Sequence, residues 1–190
     1  RHNDLRRLTH LLRDLVWLDD GSYKWEGHLP TAFFVDHQWM VSRNTPNKPD
    51  SLVIAVKGGH NDEFHNHNDL GQFIIHINGE SIVVALGRLR YSKDSQDYAS
   101  GKRYNFFEPR SASHNVPLVN TQEQKAGRNH VARVLNTKFS NKFDEILLDL
   151  RDAYTEKANL EKLIRTIALT RKTPSGTVVV KDDYSFKKGA

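Results

Sequence analysis

The spacing of apolar residues along this chain changes once. From Asn3 to Leu18 they fall at Leu5, Leu8, Leu11, Leu12, Leu15 and Val16. Steps of three and four predict an amphipathic helix, capped by Asn3 or Asp4 and stopped at Asp20-Gly21. After about Leu29 the pattern breaks into short β-rich runs separated by polar or proline-rich loops such as Asn44-Thr45-Pro46-Asn47-Lys48-Pro49. Strands are predicted at Phe33–Val35, Gln38–Ser42, Leu52–Val56, Phe73–Ile77, Glu80–Val84, Tyr104–Phe107, Val116–Val119, His130–Leu135, Ile146–Leu150, Ile164–Thr170 and Thr177–Lys181. Asn78-Gly79 between two apolar runs predicts a tight hairpin, because both positions accept positive φ. Glu156–Leu163 reads as a short helix or a turn. About ten short strands with no helix between them predict a mainly β fold, a two-layer antiparallel β-sandwich preceded by one helix. A solitary helix ahead of an all-β region looks like the end of another domain.

Composition narrows the function classes. The 190 residues carry 28 Lys+Arg against 23 Asp+Glu, a net charge of +5 that mildly favours anionic partners. No run approaches the roughly 18–20 apolar residues of a membrane span, so no membrane association is expected. No apolar signal core follows Arg1-His2-Asn3-Asp4. Cysteine is absent, which excludes disulfides, thiolate zinc sites and cysteine nucleophiles. Aromatic residues are not interleaved with the basic ones as in a nucleic-acid surface, so no nucleic-acid partner is expected. Histidine is the unusual count, at ten.

The histidines concentrate in Lys57-Gly58-Gly59-His60-Asn61-Asp62-Glu63-Phe64-His65-Asn66-His67-Asn68-Asp69. In extended backbone, residues two apart share a side at a spacing of about 7 Å. His65, His67 and Asp69 would then line one face, and Asn66 and Asn68 the other. Imidazoles on one face suit zinc, with a further ligand from elsewhere, and His114 in Ser113-His114-Asn115 is a remote candidate. Solvated loop histidines are the alternative.

Three families share parts of this pattern. The His-x-His-x-Asp string resembles the metallo-β-lactamase motif, which has a histidine where this chain has Leu70 and needs several helices. Gly59, His65-Asn66-His67 and Gly79 resemble the first cupin motif, with Gln72 at its glutamate position and no second motif. The longest resemblance is to the heparinase II/III family of polysaccharide lyases. It runs through Lys57-Gly58-Gly59-His60-Asn61, His65 to Phe73, Asn78-Gly79-Glu80, Leu86 to Tyr91 and Arg103-Tyr104. It resumes at Ser111-Ala112-Ser113-His114-Asn115-Val116-Pro117, Gln124 and Gly127, Leu148 to Tyr154, Arg165-Thr166-Ile167 and Val180 to Tyr184, and so spans most of Asp36 to Phe186.

That resemblance implies an N-terminal α/α toroid, a C-terminal antiparallel sandwich and an acidic polysaccharide between them. Residues 1–28 would be the trailing helix of the toroid, and residues 29–190 a sandwich domain clipped at its C-terminus. The implied reaction is β-elimination at a uronate sugar, in alginate or a glycosaminoglycan, with His65 as the sandwich's catalytic residue. The family's tyrosine acid/base lies in the toroid, so this chain alone is expected to be inactive. Tyr91, Tyr98 and Tyr104 are expected to pack rather than react. Some members hold a structural metal, and the matching positions are His67, Ala85 and His114. Alanine cannot coordinate, so two ligands remain where zinc takes about four, with Asp69 or His60 as possible substitutes. The basic residues Arg88, Arg90, Lys93, Lys102, Arg103 and Arg110 would form an anionic-glycan groove, or be solvated loop charges. Family members are often periplasmic or secreted. The rivals are a non-catalytic glycan-binding sandwich and a cupin-like metal-dependent enzyme.

Overall fold

A computed structural model of the chain describes residues 27–172 and 175–189. The predicted helix at 3–18 lies outside the described residues. What is described is mostly strand, built as two five-stranded antiparallel sheets. One contains β1 (Thr31–Phe34), β2 (Trp39–Arg43), β3 (Val53–Lys57), β5 (Phe73–Ile77) and β6 (Glu80–Val83), paired in that order. The other runs β10 (Thr177–Phe186), β9 (Leu160–Thr170), β8 (Phe143–Asp149), β7 (Gly127–Phe139) and β4 (Gly59–Asn61). No described helix is long and apolar enough to cross a membrane.

Alternation decides which face of each strand meets the other sheet. In β8, Asp144, Ile146 and Leu148 are buried while their neighbours are only half covered. Leu163, Ile167 and Leu169 of β9 join them, facing Met40 of β2 and Ile54 and Val56 of β3. Both sheets are largely meanders rather than the Greek keys of a jelly roll, which removes the cupin-like architecture. The described helical elements are short 3-10 turns, not the α-helices a metallo-β-lactamase requires.

Asn78 (φ 54°) and Gly79 (φ 79°) make the predicted hairpin turn between β5 and β6. Two strand predictions fail, and the short helix or turn expected at Glu156–Leu163 is found only in its first part. Tyr104–Phe107 overlaps a 3-10 turn, Lys102–Asn105, entered through the left-handed Gly101. Val116–Val119 forms no strand and makes only one isolated bridge, Val119 to Gln122. Glu156–Leu163 divides into a 3-10 turn, Glu156–Ala158, and the start of β9, with Asn159 in the left-handed conformation between them.

β4 explains the Gly58-Gly59 pair. Lys57 ends β3 in one sheet and Gly59 opens β4 in the other, so the chain changes sheets across a single residue. A Cβ on Gly58 would lie 2.9 Å from the Gln38 carbonyl oxygen, and Gly59 has φ 84°. After β4 the chain returns to the first sheet as β5. The histidine-rich residues are therefore the crossover between the two layers.

A buried ion pair clamps the layers together. Asp144 of β8 is fully buried and accepts from Arg171 Nη2 at 2.5 Å, Ser42 Oγ at 2.6 Å and the Thr31 hydroxyl. Arg171 also donates to the carbonyls of Arg43 and Ser140. Burial works to raise the Asp144 pKa, but the hydrogen bonds from Arg171, Ser42 and Thr31 outweigh it and hold the carboxyl below its ordinary value. Its contribution to stability is thus present above about pH 4 and lost as pH falls through the depressed native value. Asp144→Ala strands Arg171 in the interior and should cost about 3–5 kcal/mol in denaturant unfolding at neutral pH. A loss below about 1 kcal/mol would contradict this role.

Candidate functional site

The crossover holds its shape with little ladder pairing, since only Gly71 and Gln72 bond to a strand, at Lys57 of β3. Residues 62–72 lie between β4 and β5, and buried backbone there must find partners elsewhere. The next long connection, residues 84–126 between β6 and β7, supplies many of them. Arg103 is 2% exposed, and its guanidinium donates to the carbonyls of Asn66 (3.1 Å), His65 (3.3 Å) and Ser95 (2.7 Å). The Tyr98 ring lies 4.8 Å from that guanidinium. Gln124 brackets Leu70, its Oε1 accepting from Leu70 N at 2.8 Å and its Nε2 donating to Leu70 O at 2.7 Å. Ser111 Oγ donates to Asn68 O at 2.6 Å. From β9, Arg165 Nη1 donates to Gly71 O (3.0 Å) and Asn115 O (2.7 Å), joining the two connections, while its other nitrogens grip Asp182.

These clamps present the histidines to one open depression of about 330 Å³, lined by His65, His67, Asp69, Ala85, Arg88 and His114 among others. The segment is a turn rather than the extended strand expected from its spacing, and Asn66 lines the depression together with His65, His67 and Asp69 instead of facing away from them. Asn66 and Asn68 are buried. His65 stands at φ 60° with an exposed ring. Tyr91 stacks on that ring at 5.8 Å with 28° between planes, so it is a neighbour of the site rather than sheet packing. Phe64, 97% exposed, tips the turn.

His67 Nδ1 and His114 Nε2 are 3.1 Å apart, so residues 47 positions distant in sequence meet. Burial holds the His67 pKa down at about 4, with His114, Arg103 and Lys57 adding to the fall and Asp69 opposing it. Burial also lowers His114, against Asp69 and a hydrogen bond with the Glu108 backbone. Both rings are therefore neutral at pH 7, one donating N–H to the other.

The suggested substitute ligands lie otherwise. Asp69 Oδ1 is 2.5 Å from Lys57 Nζ. His60 does not line the depression, and its Nε2 is 3.4 Å from Arg128 Nη1. The basic residues do not form one groove either. Arg103 is an internal clamp, Arg110 grips Glu123, and Lys102 lies 3.8 Å from Asp94. Arg88 alone of the six lines the depression. Lys57, Trp39, Glu63 and Phe64 also line it. Sequence reasoning had given these four no part in the site, although Lys57, Glu63 and Phe64 lie inside the quoted histidine-rich string.

No protein-family model matches the chain, and no curated protein does. Solved structures do. A heparinase III superposes with a TM-score of 0.68 at 17% identity, over 88% of this chain and 24% of that one. The heparan sulfate lyase HepC from Pedobacter heparinus gives 0.68 at 16% identity, over 96% of this chain and 27% of that one. The likeness shows the sandwich fold. This chain spans about a quarter of the length of those proteins.

Because burial disfavours the imidazolium, the His67 ring should titrate by NMR with a midpoint near 4 in the folded chain. The native state then binds fewer protons than the unfolded one between about pH 4 and 6.5, so stability falls as pH drops through that window. A midpoint at 6 or above would contradict the buried, neutral pair.

Proposed function

We propose that this chain forms the sandwich wall of the active site of a polysaccharide lyase. The substrate is an acidic, uronate-containing polysaccharide, and the opposite wall comes from an N-terminal helical toroid of the same polypeptide. In β-elimination a base takes the proton α to the uronate carboxylate, and the electron pair moves into a new C=C bond. The bond from the β carbon to the glycosidic oxygen then breaks, and that oxygen leaves with a proton from an acid.

The observation that carries this reading is the presentation of His65. Its ring is open to the depression, while its carbonyl is tied to the buried Arg103 guanidinium. An exposed imidazole on a fixed backbone can contact a sugar carboxylate or move a proton without reorganising. Arg88 and Lys57 on the same wall supply positive charge for a carboxylate. The fold shared with heparinase III and with a heparan sulfate lyase supports the same substrate class. We also propose a periplasmic or secreted location, where a polymer of that kind would be met.

His65 sits at positive φ, which Asn tolerates better than Ala. In the full-length protein, His65→Asn should lower formation of the unsaturated product by at least about 100-fold, the scale of one general acid–base group. Its thermal midpoint should stay near that of the parent. Retained turnover would overturn the role of His65. Glycan binding by full-length parent protein with no unsaturated product would favour a non-catalytic carbohydrate-binding sandwich, the reading that Ala85 favours through the missing metal ligand.

A further inference from the structure

The contact between His67 and His114 lies where the heparinase resemblance puts a structural metal, and the donor set tests that expectation. Tetrahedral zinc with bonds of 2.0–2.1 Å holds two nitrogens about 3.4 Å apart. His67 Nδ1 and His114 Nε2, at 3.1 Å, are close to that spacing. The rest of the set does not fit. The third position on the wall is the methyl of Ala85. Asp69 has an oxygen committed to the Lys57 ammonium, and His60 faces Arg128 instead. Among the described residues, no three His, Cys, Asp or Glu side chains converge to hold an ion. Glu63 also lines the depression, but its carboxylate lies 3.8 Å from His37 and does not complete a three-donor group with the histidine pair.

We infer that a direct imidazole–imidazole hydrogen bond, backed by the Lys57–Asp69 ion pair, replaces a metal as the cross-link between the two site segments. Ala85 lines the same depression as the two histidines, so a carboxylate placed there would add a third donor. The bond from His67 to His114 ties residues 62–72 to residues 84–126, as a shared ion would. Lys57 supplies a permanent positive charge at the depression where an ion would have supplied one. This inference does not depend on the lyase reading, and its test needs no turnover.

The purified 190-residue chain, Ala85→Asp, and the double variant Ala85→Asp/His67→Ala are each equilibrated with zinc and desalted, and bound metal is measured by mass spectrometry. The parent should retain no more zinc than the double variant, and Ala85→Asp should retain roughly one per chain. In the metal-free parent, NMR should show scalar coupling across the hydrogen bond between His67 Nδ1 and His114 Nε2. About one zinc per parent chain, lost in His67→Ala, would overturn the inference. So would a folded Ala85→Asp variant that takes up no zinc, or absence of the coupling. Should Ala85→Asp not fold, zinc content and coupling in the parent still decide the question.

Discussion

The site rests on one constraint: buried carbonyls in irregular backbone must find donors. In the segment from Asp62 to Gln72 only Gly71 and Gln72 bond to a strand, at Lys57 of β3, and each unsatisfied buried group costs about 1–3 kcal/mol. Arg103, Arg165, Gln124 and Ser111 meet that need, drawn from a second long connection and from β9. Each is nearly fully buried. None needs to touch a ligand, yet together they determine where His65, His67 and His114 stand.

The fold explains why such a segment exists. Gly58 carries the chain from one sheet to the other, and β4 is too short to do more than anchor it there. The return to β5 leaves a gap in the ladders until Gly71 and Gln72 meet Lys57 of β3. That gap is filled by side-chain hydrogen bonds, and it is open to solvent on the side of the depression. One histidine stays exposed on a left-handed turn, while two are half-buried and have their pKa values lowered by that burial. The same few residues thus provide both a solvent-facing wall and a rigid support.

Much of the sandwich was legible from the chain. The alternation in β8 and β9 and the Asn-Gly turn depend on local rules that nothing overrides. β4 was missed because Gly59-His60-Asn61 has no strand composition, and it pairs only because β7 offers an edge. Tyr104–Phe107 looked like a strand through its aromatic residues, but its backbone follows the burial of Arg103 into the histidine turn. Arg103 itself read as a surface cation. Only the carbonyls that converge on it make burial possible, and those meet it from 37 and 38 positions away. The resemblance to heparinase II/III sequences marked His65, His67 and His114, whereas the pairing of Lys57 with Asp69 is tertiary and left no local signal.

Amide hydrogen exchange across the crossover tests most directly whether its tertiary contacts, backbone and side-chain together, hold this segment as firmly as a sheet would. The amides of Asn68, Leu70, Gly71 and Gln72 donate to Pro109 O, Gln124 Oε1, Lys57 O and Asp69 O. The account predicts that these four exchange with protection close to that of β8 and β9, the most stable class in a folded domain. Exchange at the rate of an open loop would contradict it. The histidines would then not be held in the arrangement on which the proposed chemistry depends.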